Sequence, residues 1–352
     1  MLDMSFYKGK KVFVTGHTGF KGTWLCKILL NAGAIVTGYS LSPQTVPNLF
    51  DLSKIEGKMT SIIEDIRELD NLMVHFLNFK PEIVFHLAAQ PLVRDSYALP
   101  VYTYETNVMG TVNMLECVRL TPSVKSVVNI TTDKVYHNNE WDWGYRETEP
   151  LNGFDPYSNS KSCSELVTSS YINSFFNERK IGVSTARAGN VIGGGDFATD
   201  RIIPDCVRAA EKKETIAVRN PKSIRPYQHV LDPLYVYLML AKEQYFDTNQ
   251  AGCYNVGPSE TGCISTGTLV DLFVDKWQEG LQWVNVSVGG PHEANFLKLD
   301  CSKLRNHFNW EPRWDIEEAI GKTVEWSKRY LSNGDIPKCM DEQIDEFFNR
   351  NN

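Results

Sequence analysis

The chain has 352 residues, 42% hydrophobic and 22% charged, a globular balance with room for a large α/β domain and a second lobe. Its net charge of −7 excludes a global basic footprint for nucleic acid, so an anionic ligand must meet locally placed Arg, Lys and backbone amides. No apolar run approaches the ~20 residues of a membrane span.

The first residues lack the apolar core of a signal peptide. The eight cysteines (Cys26, Cys117, Cys163, Cys206, Cys253, Cys263, Cys301, Cys339) are scattered, with no C-x-x-C or zinc-type spacing. The expectation is a reduced, cytoplasmic chain with no metal, no membrane and no nucleic-acid partner.

In chain order, KKVFVT (10–15) reads as a buried strand, GHTGFKG (16–22) as a glycine turn, and TWLCKILLNAG (23–33) as a helix closed by Gly33. AIVTGYS and SIIEDIRE supply two further strands, NLMVHFLNFK a helix, and EIVFHLAA a fourth strand. YETNVMGTVNMLECVRL (104–120) predicts an amphipathic helix and SVVNITTD (126–133) the next strand. Residues 137–153 form a long polar and aromatic loop, of a length that usually carries function. Trp141 and Trp143 are expected to pack that loop, and His86 to be a core or strand-end histidine.

A helix follows from Pro156, then the strand GVSTARA (182–188). This alternation predicts right-handed βαβ units and a Rossmann-type, doubly wound parallel sheet. Beyond residue 190 it blurs. Short strands lie in 215–232, helices in 233–246 and 267–277, VNVSV (284–288) is a strand, and 316–331 reads as a last helix. The expected division is a dinucleotide-binding domain over 1–190, a helix near 232–246 returning to it, and a smaller α/β substrate lobe over 191–352.

Gly16, Gly19 and Gly22 stand between the first strand and helix. There, missing Cβ atoms permit a tight turn and close approach of a pyrophosphate to a helix N-terminus. The second strand ends GYSLSP, without the usual acidic residue for a ribose or an Arg for a 2′-phosphate, and the balance favours NAD. Lys21 either pairs with phosphate or is solvated.

In DPYSNSK, Asp155 suits a helix cap and Pro156 the first position, so Tyr157 and Lys161 share one face at i, i+4. A free tyrosine titrates near 10, and lowering that by roughly 3 units takes about 4 kcal/mol. A neighbouring ammonium and a positive nicotinamide ring both favour the phenolate.

Together these features resemble the extended short-chain dehydrogenase/reductase family over nearly the whole chain. DIRE (65–68), HLAAQ (86–90), YETNVMGT (104–111) and LDCSKL (299–304) match as well. The resemblance implies that Asp65 and Ile66 flank the adenine and that Leu87, Ala88 and Ala89 line the cofactor cleft. It places His17, Phe20, Lys21 and Thr106 at the cofactor beside Gly16, Gly19, Gly22, Tyr157 and Lys161. Gln90, Asn190, Arg201 and Arg225 fall at substrate positions, and Arg187 either helps close the cleft or makes a structural ion pair.

Simple epimerases of this family end the strand before the tyrosine helix in small hydroxyl residues, whereas nucleotide-sugar 4,6-dehydratases carry Thr-Asp-Glu. Here it ends Thr132-Asp133-Lys134. With WGYRETEPLNGFDPYS, GNVIGGGDFATDRIIPD and IRPYQHVLDPL, that form is similar to the dehydratases acting on CDP-glucose in deoxysugar biosynthesis, including that of lipopolysaccharide O-antigen. The expected reaction oxidises C4, loses water across C5–C6 and returns hydride to C6. Asp133 is the candidate acid, and Lys134 is either the C5 base or the group that tunes Asp133. A 4-epimerase, a dehydratase of another nucleotide sugar, or a catalytically silent NAD-binding regulator are the alternatives. The family habit of pairing subunits through the tyrosine helix implies a homodimer or homotetramer.

Overall fold

Among the described residues, β-branched and aromatic side chains fill twelve strands. They are β1 (Lys11–Thr15), β2 (Ile35–Ser40), β3 (Thr60–Ile63), β4 (Ile83–His86), β5 (Ser126–Ile130), β6 (Gly182–Ala188), β7 (Asn190–Ile192), β8 (Ile216–Val218), β9 (Ile224–His229), β10 (Cys253–Val256), β11 (Cys263–Ser265) and β12 (Trp283–Asn285). The computed structural model describes residues 2–286 and 296–350. Every residue of β4, β5 and β6 is buried, as a parallel sheet covered on both faces requires.

Seven strands form one sheet in the order β10-β6-β5-β4-β1-β2-β3, every pair parallel. The order reverses between β1 and β4, and a cleft opens at the strand C-termini there, where open α/β sheets bind ligands. One face packs the helix Phe20–Asn31 and the helix Leu231–Phe246 around Val12, Val14, Phe85 and Val128. The other packs Phe13, Val84 and Val127 against Phe76, Met114 and Phe176. Each such buried side chain contributes about 1.5–3 kcal/mol.

The second lobe has a three-stranded sheet β11-β9-β7 and the pair β12–β8, packed by Ile203, Leu269, Phe273, Trp277 and Ile320. The helix Leu231–Phe246 packs against β5 and β6, and β10 lies beside β6 as an edge strand. Residues 253–256 were not read as a strand, because their partner Thr185–Ala188 lies far back in the chain.

Three further readings change. The helix expected across 104–120 is a composite of Pro100–Tyr104, a wider π-turn at Glu105–Met109, and Gly110–Leu120. Of VNVSV, residues 284–285 lie in β12 and 287–288 fall outside the described residues. The helix Ile316–Leu331 is not the last, since Ile336–Asn349 follows, capped by the Asp335 side chain.

That final helix is tied to the first domain. Lys27, only 3% exposed, donates to Asp341 at 2.7 Å, and the Asn31 amide donates to its other oxygen. Removing the carboxylate strands a nearly buried ammonium. Asp341→Ala should lower unfolding stability by about 2 kcal/mol, read from urea melts of the variant against the parent chain.

Candidate active site

The site begins with backbone chemistry at the β1 terminus. Gly16 has φ +76°, and a Cβ there would lie 2.7 Å from the Ala88 backbone N; one on Gly22 would lie 2.0 Å from the Gly16 O. Glycine therefore lets the first helical turn pack directly against the strand tips, leaving its amides for a pyrophosphate. Thr15 Oγ1 accepts from the Leu87 and Ala88 amides, fixing the other wall, with Ala89 following.

The tyrosine helix, Pro156–Tyr171, docks across β5. Asp155 caps it by accepting from the Ser158 amide at 2.9 Å, and Pro156 occupies its first turn. Lys161 is 4% exposed and donates to the Ile130 carbonyl at 3.1 Å. Burial lowers its pKa to about 8, against the opposing pull of Glu165. Burial pushes the Tyr157 phenol up to about 12; the Thr132 hydroxyl bonded to it and Arg201 pull it down, while Asp133 and Asp155 push it up. The resting phenol is therefore protonated at neutral pH.

Just past β5 the chain makes one 3₁₀ turn, Asp133–Val135, capped by Thr132. Asp133 is fully buried. Its Oδ1 accepts from Thr132 Oγ1 and Lys134 Nζ, both at 3.0 Å, and its Oδ2 has no partner. Lys134 also donates to Asn190 Oδ1 at 3.4 Å. The expected acid and base are thus in direct contact beside Tyr157.

A cleft of about 930 Å³ opens over this floor, lined by Phe20, Lys21, Thr132, Lys134, Tyr157, Asn190, Arg201 and Arg225. Burial lowers Lys21 to about 7, helped by Lys161, Arg201 and Lys134 and opposed by Asp133. Around Lys21 the cations Lys161, Arg201 and Lys134 outnumber the one carboxylate, Asp133, which favours a ligand carrying negative charge there. Arg201 is steadied by Asp196 at 2.9 Å. Arg94 and Arg219 both approach Asp200, at 3.8 and 2.6 Å, at the cleft lining. No motif joins positions 94, 200 and 219, and sequence reading did not find them.

Some expected site residues are committed elsewhere. His17 Nε2 bonds Ser61 Oγ at 2.8 Å, and its ring packs on Phe50 and over Gly38; burial holds its pKa near 4. Its side chain belongs to the wall between β1 and β3, although its backbone stays in the glycine turn. The Gln90 side chain staples its own loop, donating to the Leu92 carbonyl and Thr103 and accepting from the Leu92 amide; it does not line the cleft. Arg187 proves structural, bound to Glu165 at 2.8 Å, Tyr136 at 2.9 Å and the Glu147 carbonyl at 3.1 Å.

Asp65 accepts two bonds from the Arg67 guanidinium, and Ile66 packs on Gly110. Thr106 Oγ1 is buried without a partner, a polar atom left for a bound group. His86 is a core histidine bonded to Thr15 and Thr111. Trp141 stacks on Tyr145, and Trp143 is largely exposed. Among the described residues no group of His, Cys, Asp and Glu could hold a metal ion, and no helix is long and apolar enough to cross a membrane.

A glycine turn at a sheet switch point, with Tyr157 and Lys161 facing it, defines a nicotinamide-dinucleotide enzyme of the short-chain dehydrogenase/reductase class. The sequence model of the GDP-mannose 4,6 dehydratase family matches residues 13–323. A CDP-glucose 4,6-dehydratase from Salmonella typhimurium is 48% identical over 99% of this chain and 98% of that protein. The dTDP-glucose 4,6-dehydratase of Bacillus anthracis, solved with NAD, superposes with a TM-score of 0.77 at 20% identity, covering 93% of this chain and 99% of that one. The UDP-glucose 4-epimerase of Thermus thermophilus, also with NAD, gives 0.78 at 24%, covering 90% and 98%. The chain belongs to the GDP-mannose 4,6 dehydratase family, and its cofactor is NAD.

The Gly22 clash distance makes that cofactor testable. Gly22→Ala should weaken NAD binding at least about tenfold, or ~1.4 kcal/mol, in calorimetric titration of the purified chain.

Proposed function

We propose that the chain converts CDP-glucose to CDP-4-keto-6-deoxyglucose and water, supplying deoxysugars of the kind found in lipopolysaccharide O-antigen. The observation that carries the reading is Asp133, buried with an unpartnered Oδ2 and joined to Lys134 beside Tyr157. A 4-epimerase moves one hydroxyl proton and hydride and needs no such pair. The relative at 48% identity supports CDP-glucose among nucleotide sugars.

Bound NAD supplies a positively charged hydride acceptor that can later return the hydride. Tyr157 takes the C4 hydroxyl proton, its phenolate favoured by the Lys161 ammonium one turn along and by the Thr132 hydroxyl. The new C4 ketone acidifies C5. Passing the proton of the Lys134–Asp133 bond to Asp133 leaves Lys134 neutral to accept the C5 proton and Asp133 able to give one to the departing C6 hydroxyl, which leaves as water. Hydride returns to C6 and a proton to C5, so C4 ends oxidised and C6 reduced. Gly16, Gly19 and Gly22 with Lys21 are suited to the cofactor pyrophosphate, and Phe20, Ile66, Leu87, Ala88, Ala89 and Thr106 to its remaining surface. Asn190, Arg201 and Arg225 are suited to the sugar and diphosphate, since a guanidinium holds phosphate oxygens bidentately.

We place the enzyme in the cytoplasm, in keeping with eight free thiols. A homodimer, or a tetramer built on it, is supported by an apolar face beside the tyrosine helix. Val101, Met109 and Leu166 are 69%, 50% and 57% exposed there, and a shallow groove runs past Tyr104 and Cys163. Val101→Glu with Leu166→Arg should turn the sedimenting species into a monomer.

Mass spectrometry of CDP-, dTDP-, UDP- and GDP-glucose reactions tests the substrate, with water loss expected from CDP-glucose. No water loss from any of them, with glucose–galactose interconversion instead, would overturn the dehydratase reading. In D₂O, Asp133→Asn should cut water loss about 10²–10⁴-fold while recovered CDP-glucose still gains deuterium at C5. Lys134→Met should lose both. Deuterium uptake surviving in Lys134→Met would remove Lys134 as the C5 base.

A further inference from the structure

Two turns beyond Tyr157 and one beyond Lys161, the same helix face carries Glu165. Its carboxylate is buried, 3% exposed. Oε1 accepts from the Thr131 hydroxyl; Oε2 accepts from the Thr185 hydroxyl at 2.7 Å and from Arg187 at 2.8 Å. Thr131 is the residue between Ile130, whose carbonyl holds Lys161, and Thr132, which bonds Tyr157. The helix rungs at 157, 161 and 165 thus meet successive groups of one strand end, and each meets a polar atom.

We propose that Glu165 is a positioning residue of the active site: through Thr131 its buried carboxylate fixes the strand end that presents Thr132 and Asp133, and from one helical turn away it sets the charge environment of the Lys161 ammonium. A buried carboxylate whose only task was to strut the core would be weakly justified, because a buried ion pair is often no more stabilising than apolar residues of its size. Two threonine hydroxyls and the Arg187 guanidinium hold the Glu165 carboxylate in place. On the helix axis its field reaches Lys161, where it opposes the burial that lowers that group.

Other charges around the pair do not replace it. Lys161 disfavours the charge of Lys21 in the glycine turn, and burial keeps His86 of β4 neutral. Asp133, Asp155, Arg201 and Tyr237 face Tyr157. Arg187, Tyr136 and Cys253 face Glu165 from the opposite side. Glu165 is therefore the carboxylate whose field at Lys161 raises its basicity.

The test reads Lys161 itself. In the full-length chain labelled with ¹⁵N-lysine, the Lys161 Nζ signal, assigned by its loss in Lys161→Met, is titrated with pH. Glu165→Gln should lower its midpoint by about one unit, and Arg187→Met, which leaves the carboxylate uncompensated, should raise it. Glu165→Gln with Arg187→Met removes both charges, avoids a stranded arginine, and should still lower it. Because turnover by way of Tyr157 rests on the dehydratase reading, kcat of Glu165→Gln at pH 8 should fall about five- to tenfold with KM unchanged. The titration needs no sugar nucleotide, so failure to turn over CDP-glucose leaves it to stand alone. Unmoved midpoints in all three variants, with only a lowered melting temperature, would overturn the proposal and leave Glu165 a core strut.

Discussion

The bond from Lys161 Nζ to the Ile130 carbonyl at 3.1 Å fixes the register on which the site depends. A helix turns 100° per residue, so a one-residue slip would carry Tyr157 off the face that meets Thr132. Asp155 and Pro156 start the helix at the right phase. Ser162 Oγ, bonded to the Val135 carbonyl at 2.7 Å, locks the turn after β5 to the same helix. Gly153 permits this approach, since a Cβ there would lie 2.3 Å from the Ser158 backbone.

That docking has an electrostatic cost. It buries Lys161 and crowds it with Lys21, while Lys134 and Arg201 stand close by. Burial lowers the basicity of Lys21 and Lys161 and raises the pKa of the Tyr157 phenol, in each case disfavouring the charged form. A dinucleotide and a sugar nucleotide bring the compensating charges with them. On the proposed reading, the ligand phosphates offset the clustered cations and the positive nicotinamide ring favours the phenolate.

The features legible in the sequence are those whose spacing is local. Gly16, Gly19 and Gly22 lie within one turn, and Tyr157 and Lys161 within one helical step, so short-range geometry alone brings them together. Asp133 beside Lys134 was readable for the same reason. What could not be read depends on partners far along the chain. His17 faces Ser61 across two strands, Arg187 faces Glu165 and Tyr136, and β10 finds its place beside β6 only after the second lobe has begun. The bonding of the Gln90 loop is hidden for a subtler reason. Its loop is held by Asn107, whose side chain clamps the Gln90 backbone at both N and O, and the π-turn holding Asn107 has no sequence signature of its own.

The placement of an acid directly beside a base follows from the 3₁₀ turn in which they sit. With three residues per turn, Asp133 and Lys134 leave the backbone about 120° apart, and Thr132 precedes them as the extended cap. Thr132 turns toward the phenol, Asp133 inward, where Gly189 leaves its Oδ2 room, and Lys134 toward Asn190. An α-helical turn would not separate neighbours so evenly, and an extended strand would send Thr132 and Lys134 the same way. In the proposed mechanism, one tight turn at the end of a rigid strand thus serves an oxygen at C4, a hydrogen at C5 and a leaving hydroxyl at C6 of one sugar, using adjacent residues.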